Sequence, residues 1–297
     1  MKIGLCGTGR MGSAIVLRLL ETGHDVTVWN RDMRKTEPLV AAGAKAAPSA
    51  AALAQACDVV LTMLLNAPAI ESVYAGANGL LSTSLQGKLV IDMSTVLPET
   101  EEHLAGRVRA SGGAFVECPV GGTVGPARTG KLFGFVGGAD ADVARAMPLL
   151  EQLCARIEHV GPPGAGARLK LAVNLPLLVY WQALGEALAV AKPLGLPPER
   201  LIDILSNTAG TPAAMKMRGP DIASALGGKA LGPAAFDVTA ARKDLSVMLE
   251  YAQRLGVSLP VAGAALGSYD EVLSAGHAGA DAVSVSIYWS TRTGKPS

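Results

Sequence analysis

Lys170 and Asn174 stand four residues apart in the stretch Gly164-Ala165-Gly166-Ala167-Arg168-Leu169-Lys170-Leu171-Ala172-Val173-Asn174. In a helix that spacing puts both side chains on one face, and the neighbours Leu169, Leu171, Ala172, Val173 and Leu175 are apolar. An ammonium beside an amide on such a face can deliver a proton to a substrate oxygen while the amide holds donor and substrate in line. The plain alternative is an exposed lysine next to a core asparagine. None of the four histidines fits the donor role better. His24 opens a surface strand, His103 falls within a helix, His159 closes a strand and His277 lies near the C-terminus.

A proton donor needs something to work against, and the N-terminus supplies it. The β run Lys2 to Cys6 leads into Gly7-Thr8-Gly9-Arg10-Met11-Gly12 and then into a helical pattern from Ser13 to Leu20. Strand, glycine turn and helix in that order bind the pyrophosphate of a dinucleotide. Gly7 allows the tight turn, Gly9 the approach of phosphate to backbone, and Gly12 the close packing of helix on strand. The helix N-terminus then offers free N–H groups and its positive dipole end. The second strand, Asp25 to Trp29, ends in Asn30-Arg31, with Arg34 and Lys35 one turn on. A carboxylate at that point selects the 2′-hydroxyl of NAD, whereas guanidinium and ammonium groups suit a 2′-phosphate. Asp32 reads as a helix N-cap. NADP(H) is therefore favoured over NAD(H).

Two further buried strands, Asp58 to Met63 and Lys88 to Asp92, end in the polar loops Leu64-Leu65-Asn66 and Met93-Ser94-Thr95. Ligands of open α/β sheets bind outside the carboxyl ends of strands, so Met63, Leu64, Leu65 and Thr95 are candidate cofactor contacts; helix capping is the competing role for Ser94 and Thr95. A strand from Ala114 then enters the glycine-rich loop Pro119 to Ala127, whose N–H groups can converge on an anion. The sheet is completed by Lys131 to Gly138 and by Arg156 to Val160. From Gly166 onward strand signals fade, and residues 166–194, 198–208, 212–227, 238–255 and 260–276 read as helices. The fold class is an α/β Rossmann domain with a mostly parallel, doubly wound sheet, followed by an all-α domain joined by a long helix. The expected domains are 1–163, binding NADP, and 164–297, binding substrate and making a dimer.

Composition narrows the function classes. The chain has 297 residues, a net charge of +1 and 17% charged residues, which leaves no basic stripe for nucleic acid. Its four cysteines are widely spaced and lack a CxxC pair, which disfavours zinc, implies no metal and suits a reducing, cytoplasmic setting. The first strand begins at residue 2, leaving no room for a signal peptide. The most apolar region, Leu169 to Leu196, is interrupted by Lys170, Asn174, Gln182, Glu186 and Lys192. It reads as a buried helix rather than a membrane span. Apolar runs such as Leu184 to Leu196 and Leu259 to Leu266 imply a homodimer or tetramer through the helical half. Pro176 predicts a kink in the long helix.

With these motifs in order, the chain resembles the β-hydroxyacid dehydrogenase family, which includes 3-hydroxyisobutyrate dehydrogenase and semialdehyde reductases. The resemblance implies an NAD(P)-dependent oxidoreductase acting on a carbonyl or a 3-hydroxy acid. It implies that Lys170 is catalytic, that Asn174 assists it, that Thr95 lies near the nicotinamide ribose, and that Lys243 reaches the nicotinamide end of the site. Lys243 is also a candidate second cation, since an ammonium near another cation releases its proton closer to neutral pH. The resemblance breaks at one place. The family usually reads Asp-x-Pro-Val-Ser-Gly-Gly where this chain reads Glu117-Cys118-Pro119-Val120-Gly121-Gly122-Thr123. Gly121, Gly122 and Thr123 remain the expected substrate-binding loop, without the serine that helps hold a carboxylate. The branch that reduces sulfolactaldehyde carries arginine at the position of Gly122. Leu175, Trp181, Met215 and Met217 are candidates for an apolar lining or for plain core. Competing readings are an imine reductase-like enzyme, a non-catalytic NADPH-binding protein, and a 6-phosphogluconate-type dehydrogenase, the last disfavoured by chain length.

Overall fold

The computed structural model describes residues 1–292. Its opening strand, β1 (Lys2–Cys6), has Ile3, Leu5 and Cys6 fully buried, as a strand covered on both faces must. The elements that follow are α1 (Arg10–Glu21), β2 (Asp25–Trp29), α2 (Glu37–Ala41), β3 (Lys45–Ala46), α3 (Ala50–Ala56), β4 (Val59–Thr62) and α4 (Ala67–Ala75). Then come β5 (Leu89–Asp92), α5 (Pro98–Ala110), β6 (Ala114–Glu117), β7 (Val120–Gly121), α6 (Val124–Arg128), β8 (Leu132–Gly138), α7 (Asp140–Leu153) and β9 (Cys154–Gly161). A long helix α8 (Ala165–Ala191) leads to α9 (Pro198–Ser206), α10 (Ala213–Leu226), α11 (Val238–Arg254), α12 (Pro260–Ser274) and α13 (Ser284–Thr291).

The strand order is β3-β2-β1-β4-β5-β6-β8-β7, with β9 paired to β8. The first six strands run parallel, β8 is antiparallel to β6 and β7, and β9 is parallel to β8. This is the order of a dinucleotide-binding sheet, with its crevice beside β1 where the winding reverses. Period-two alternation sends residues to opposite faces. Ile3, Leu5, Val28, Leu61 and Ile91 pack with Ile15 and Leu19 of α1 and Leu149 of α7. Cys6, Val60, Val90 and Phe115 pack with Leu53, Tyr74 and Leu104 from α3, α4 and α5. Helices on both faces follow from the parallel crossovers.

The chain divides into two compact units, Met1–Leu171 and Ala172–Ser297. In the second, Tyr269 OH donates to the Leu178 carbonyl at 3.0 Å, and the Ser286 hydroxyl donates to the Trp181 carbonyl. Gly185 admits α13 closely: a Cβ there would lie 2.9 Å from the Ser286 carbonyl.

Helix α8 runs unbroken through Pro176. By length and composition alone the segment Ala165–Leu194 could cross a membrane, with a third of its most apolar window buried. The expectation of a buried helix therefore holds for one side only. Leu178, Trp181, Leu184 and Leu188 are buried, whereas Val173, Pro176, Ala183, Ala187, Val190 and Leu194 are exposed. Within α8 those exposed positions are spaced by three, seven, four and three residues, the spacing of one helix face, and Leu194 lies just beyond the helix end. Met215 and Trp181 are core residues, and Met217 is exposed.

Candidate active site

The three glycines of the first loop meet three different demands. Gly7 has φ +101°, and a Cβ on it would lie 2.3 Å from the Met63 carbonyl oxygen. Gly12 lets α1 approach β1: its Cβ would lie 2.0 Å from the Gly7 carbonyl oxygen. At Gly9, the N-cap of α1, a Cβ would meet nothing within 4 Å. Open space at the helix start, with no side chain capping it, fits the pyrophosphate of a dinucleotide. Arg10 and Met11 begin α1, and Thr8 is buried.

The neighbouring strand ends close around this loop. Asn30 accepts the Thr8 N–H at 3.3 Å and donates its amide to the Asp32 carbonyl at 2.9 Å. Asp32 caps the short turn after β2 and holds Arg34 in an ion pair at 2.9 Å. The Arg34 guanidinium keeps that carboxyl below its usual range. Arg31 and Lys35 are exposed. After β4, the Met63 N–H donates to the Cys6 carbonyl and the Leu64 N–H to the Ser94 hydroxyl, both at 3.0 Å. Leu65 is exposed. Ser94 thus ties two strand-end loops together instead of capping α5, whose N-cap is Leu97. Thr95 follows it, half-buried.

Lys170 lies in the second turn of α8 and is only 6% exposed, and Asn174 follows one turn later on the same helix. In the second unit, Asn174 Nδ2 donates to Asp244 Oδ2 at 3.1 Å. Lys243 Nζ meets Asp244 Oδ1 at 2.6 Å, and Asp244 is buried. Lys243, the candidate second cation, is thus paired with a carboxylate. Asp244, which adjoins Lys243 in the second turn of α11, joins two of the candidate residues and carries no motif of its own in the sequence. Two of the histidines are engaged elsewhere, His24 with Gln152 at 2.8 Å and His159 with the Gly138 carbonyl at 3.1 Å.

Comparison with known proteins identifies the family. Residues 2–161 match the model for the NAD binding domain of 6-phosphogluconate dehydrogenase, and residues 164–288 match that for the NAD-binding domain of NADP-dependent 3-hydroxyisobutyrate dehydrogenase. The chain belongs to the β-hydroxyacid dehydrogenase family. It is 35% identical to glyoxylate/succinic semialdehyde reductase 1 of Arabidopsis thaliana, over 93% of this chain and 94% of that one. It is also 35% identical to 3-hydroxyisobutyrate dehydrogenase of Pseudomonas aeruginosa, over 94% and 93%. The solved structure of Psf3 in complex with NADP+ and 2-OPP superposes with a TM-score of 0.85 at 30% identity, covering 96% and 99%. As a family member the protein is an NAD(P)-dependent oxidoreductase acting on a small molecule.

The family loop at 117–123 is where this member differs. Val120 and Gly121 pair with β8, and α6 packs along α1. A Cβ on Gly121 would meet Phe133 and Phe135 at 3.5 Å, an ordinary contact, so the serine usual in the family would fit. Gly122 has φ +116° and its Cβ would lie 3.0 Å from Leu132, so a side chain there is strained. Thr123 is the N-cap of α6 without a side-chain capping bond.

Beneath this loop three carboxyls meet: Asp92 at the end of β5, Glu101 on α5 and Glu117 at the end of β6, all 0% exposed. Asp92 accepts from the Thr62 hydroxyl, from Tyr74 OH at 3.4 Å and from the Ser94 N–H at 2.8 Å. Burial, with Asp92 and Glu117 alongside, pushes the Glu101 carboxyl well up. Burial also raises Glu117 to about 7, opposed by N–H groups of Gly166, Gly164 and Ala167.

Proposed function

We propose that the protein is an NADPH-dependent reductase of small aldehyde or keto acids, equally a 3-hydroxyacid dehydrogenase in the reverse direction, with Lys170 as its general acid and base. The observation that carries this reading is a nearly fully buried lysine at the start of α8 in a chain whose first loop fits a dinucleotide. An ammonium held away from water at a fixed place on a helix can deliver a proton to a carbonyl as it is reduced. When bound, the nicotinamide supplies the hydride. Lys170 gives its proton to the substrate oxygen as negative charge develops there and takes it back in oxidation. Asn174, steadied by Asp244, orients the substrate, and Lys243 faces the nicotinamide end. Gly7 to Gly12, Met63, Leu64, Leu65 and Thr95 line the cofactor; Gly121, Gly122 and Thr123 take the acid group through backbone N–H and hydroxyl. The substrate classes named for the relatives, a 2-oxo acid aldehyde and a semialdehyde, are the first to try.

The deciding test is Lys170→Ala assayed with NADPH against glyoxylate and succinic semialdehyde. Loss of a general acid lowers kcat by about 10²- to 10⁴-fold, while the NADPH dissociation constant stays within about twofold. Equal loss of both would make the lysine structural.

Preference for NADPH rests on Arg31 and Lys35, exposed beside the glycine loop while Asp32 is occupied by Arg34. Replacing both by alanine should weaken NADPH binding at least about tenfold, the scale of one charge-assisted hydrogen bond, and leave NADH binding unchanged. Titration of cofactor fluorescence checks it.

The exposed apolar seam of α8 supports a homodimer formed through the helical half, residues 164–297, with residues 1–163 given to the nucleotide. Four free cysteines suit a reducing, cytoplasmic compartment.

A further inference from the structure

Helix α8 begins against a buried acid. Gly166 N donates to Glu117 Oε1 at 2.7 Å, and the N–H groups of Gly164 and Ala167 lie close enough to favour the charged form of this carboxyl. The first turn of a helix leaves such donors unpaired, and here a side chain from the end of β6 takes up the one on Gly166. The contact has no slack. A Cβ on Gly137 of β8 would lie 2.1 Å from Glu117 Oε1, and one on Gly166 would lie 2.3 Å from the Phe135 carbonyl oxygen. Glycine at both positions is what lets the strand, the carboxyl and the helix start share this space.

We propose that Glu117 is a positioning residue for Lys170, anchoring the first turn of α8 and so setting the height and rotation at which the amine is presented. Lys170 follows Ala167 by three residues, less than one turn of a rigid helix, so a shift at the anchor is passed on to the amine nearly undiminished. The other tie at this end, Arg168 to Glu102 at 2.6 Å, is about half-exposed on both sides and holds weakly by comparison. The groups that face Glu117 from the elements around it are Asp92 on β5, Glu101 on α5 and Cys118 beside it on the loop, while β8 presents glycine. An acid among acids is an unusual anchor. It is strong when ionised and weaker when protonated, so the grip on α8 varies with pH in the neutral range.

This inference rests on Lys170 being the proton donor, and the experiment separates the two. Glu117→Ala, Glu117→Gln and Lys170→Ala are compared with wild type using NADPH and succinic semialdehyde as probe. Rates are expressed per nucleotide-binding site counted by NADPH fluorescence. Removing the anchor should lower kcat about 10²-fold, the cost of a misplacement of about 1 Å, with KM for NADPH unchanged. Glutamine, whose amide oxygen still accepts the Gly166 N–H, should restore kcat to within about tenfold of wild type. Wild type should show an inflection of kcat near neutrality that the glutamine variant lacks, because an amide does not titrate. A structural role alone would lower the yield of folded sites and leave kcat per site untouched. Wild-type kcat per site in Glu117→Ala overturns the proposal. If that variant does not fold, a Glu117→Gln profile that superimposes on wild type overturns it equally. Collapse of Lys170→Ala with both Glu117 variants unaffected removes this inference alone. An active Lys170→Ala, or a wild type that reduces none of the aldehydes, removes the Lys170 reading and this inference with it.

Discussion

Two buried acidic centres touch helix α8, and they are balanced in opposite ways. Asp244, in the second unit, meets a full cation from Lys243 at 2.6 Å and an amide from Asn174 at 3.1 Å. The centre at the helix start, in the first unit, gathers Asp92, Glu101 and Glu117 around hydroxyls and backbone N–H groups. Neither oxygen of Glu101 meets an N–H or hydroxyl donor, and its neighbours are Asp92 and Glu117. A carboxylate answered by a cation can afford burial, whereas acids answered by dipoles and by one another keep protons. The pair at Asp244 is therefore sensitive to loss of a partner, and the trio at Glu117 is sensitive to pH.

The largest expected effect tests the first half of that contrast. Asp244→Ala leaves Lys243, whose side chain is 20% exposed, without its carboxylate. Removing one member of a largely buried pair should cost about 3 kcal/mol, measured by the shift of the urea midpoint. A cost below about 1 kcal/mol would mean that solvent already screens the pair.

The next effect belongs to pH. Glu117 has its folded value raised from 4.5 to about 7, so between those limits the native state holds a proton that the unfolded chain has released. Unfolding then releases protons, and stability falls as pH rises through this window, by about 2 kcal/mol between about pH 5 and about pH 8, with the loss complete above it. Comparing urea midpoints at about pH 5 and about pH 8, wild type should lose more than Glu117→Gln does. Equal losses would show that Glu117 is not the titrating group. The smallest effect sharpens the comparison. Glu101→Gln exchanges one neutral buried group for another and should stay within about 1 kcal/mol of wild type near neutral pH. If it costs as much as Asp244→Ala, Glu101 is ionised in the fold and the contrast between the centres fails.

What could be read in advance tracks how local each cause is. Gly7, Gly9 and Gly12 act within six residues, and the structure gives each the geometry expected of it. The strand order follows from alternating strands and helices, since right-handed crossovers leave few other choices. Glu117, Asp92 and Glu101 escaped notice because they sit on three elements and become a cluster only when β5, β6 and α5 pack. Asp244 lies next to Lys243 in the sequence, but its burial and its bond to Asn174 arise only when α11 packs against α8. Helix α13 carried no helical signal, because Val283-Ser284-Val285-Ser286-Ile287 alternates as a strand would. Packing against Gly185 and the Ser286 bond to Trp181 override that local pattern.

Strand β8 is nearly stripped of side chains where it matters most. Gly134 sits 3.0 and 3.3 Å, by its notional Cβ, from the Cys118 and Cys154 sulfurs, Gly137 lies against Glu117, and Gly138 lies against Val143. Directed evolution of the glycine-rich loop at 119–123 therefore inherits a neighbour in which alanine at 137 collides with Glu117 and alanine at 134 or 138 makes nearby side chains give way. Libraries that randomise residues 121 and 123 while leaving 134, 137, 138 and 166 fixed should keep a far larger share of folded members than those that do not.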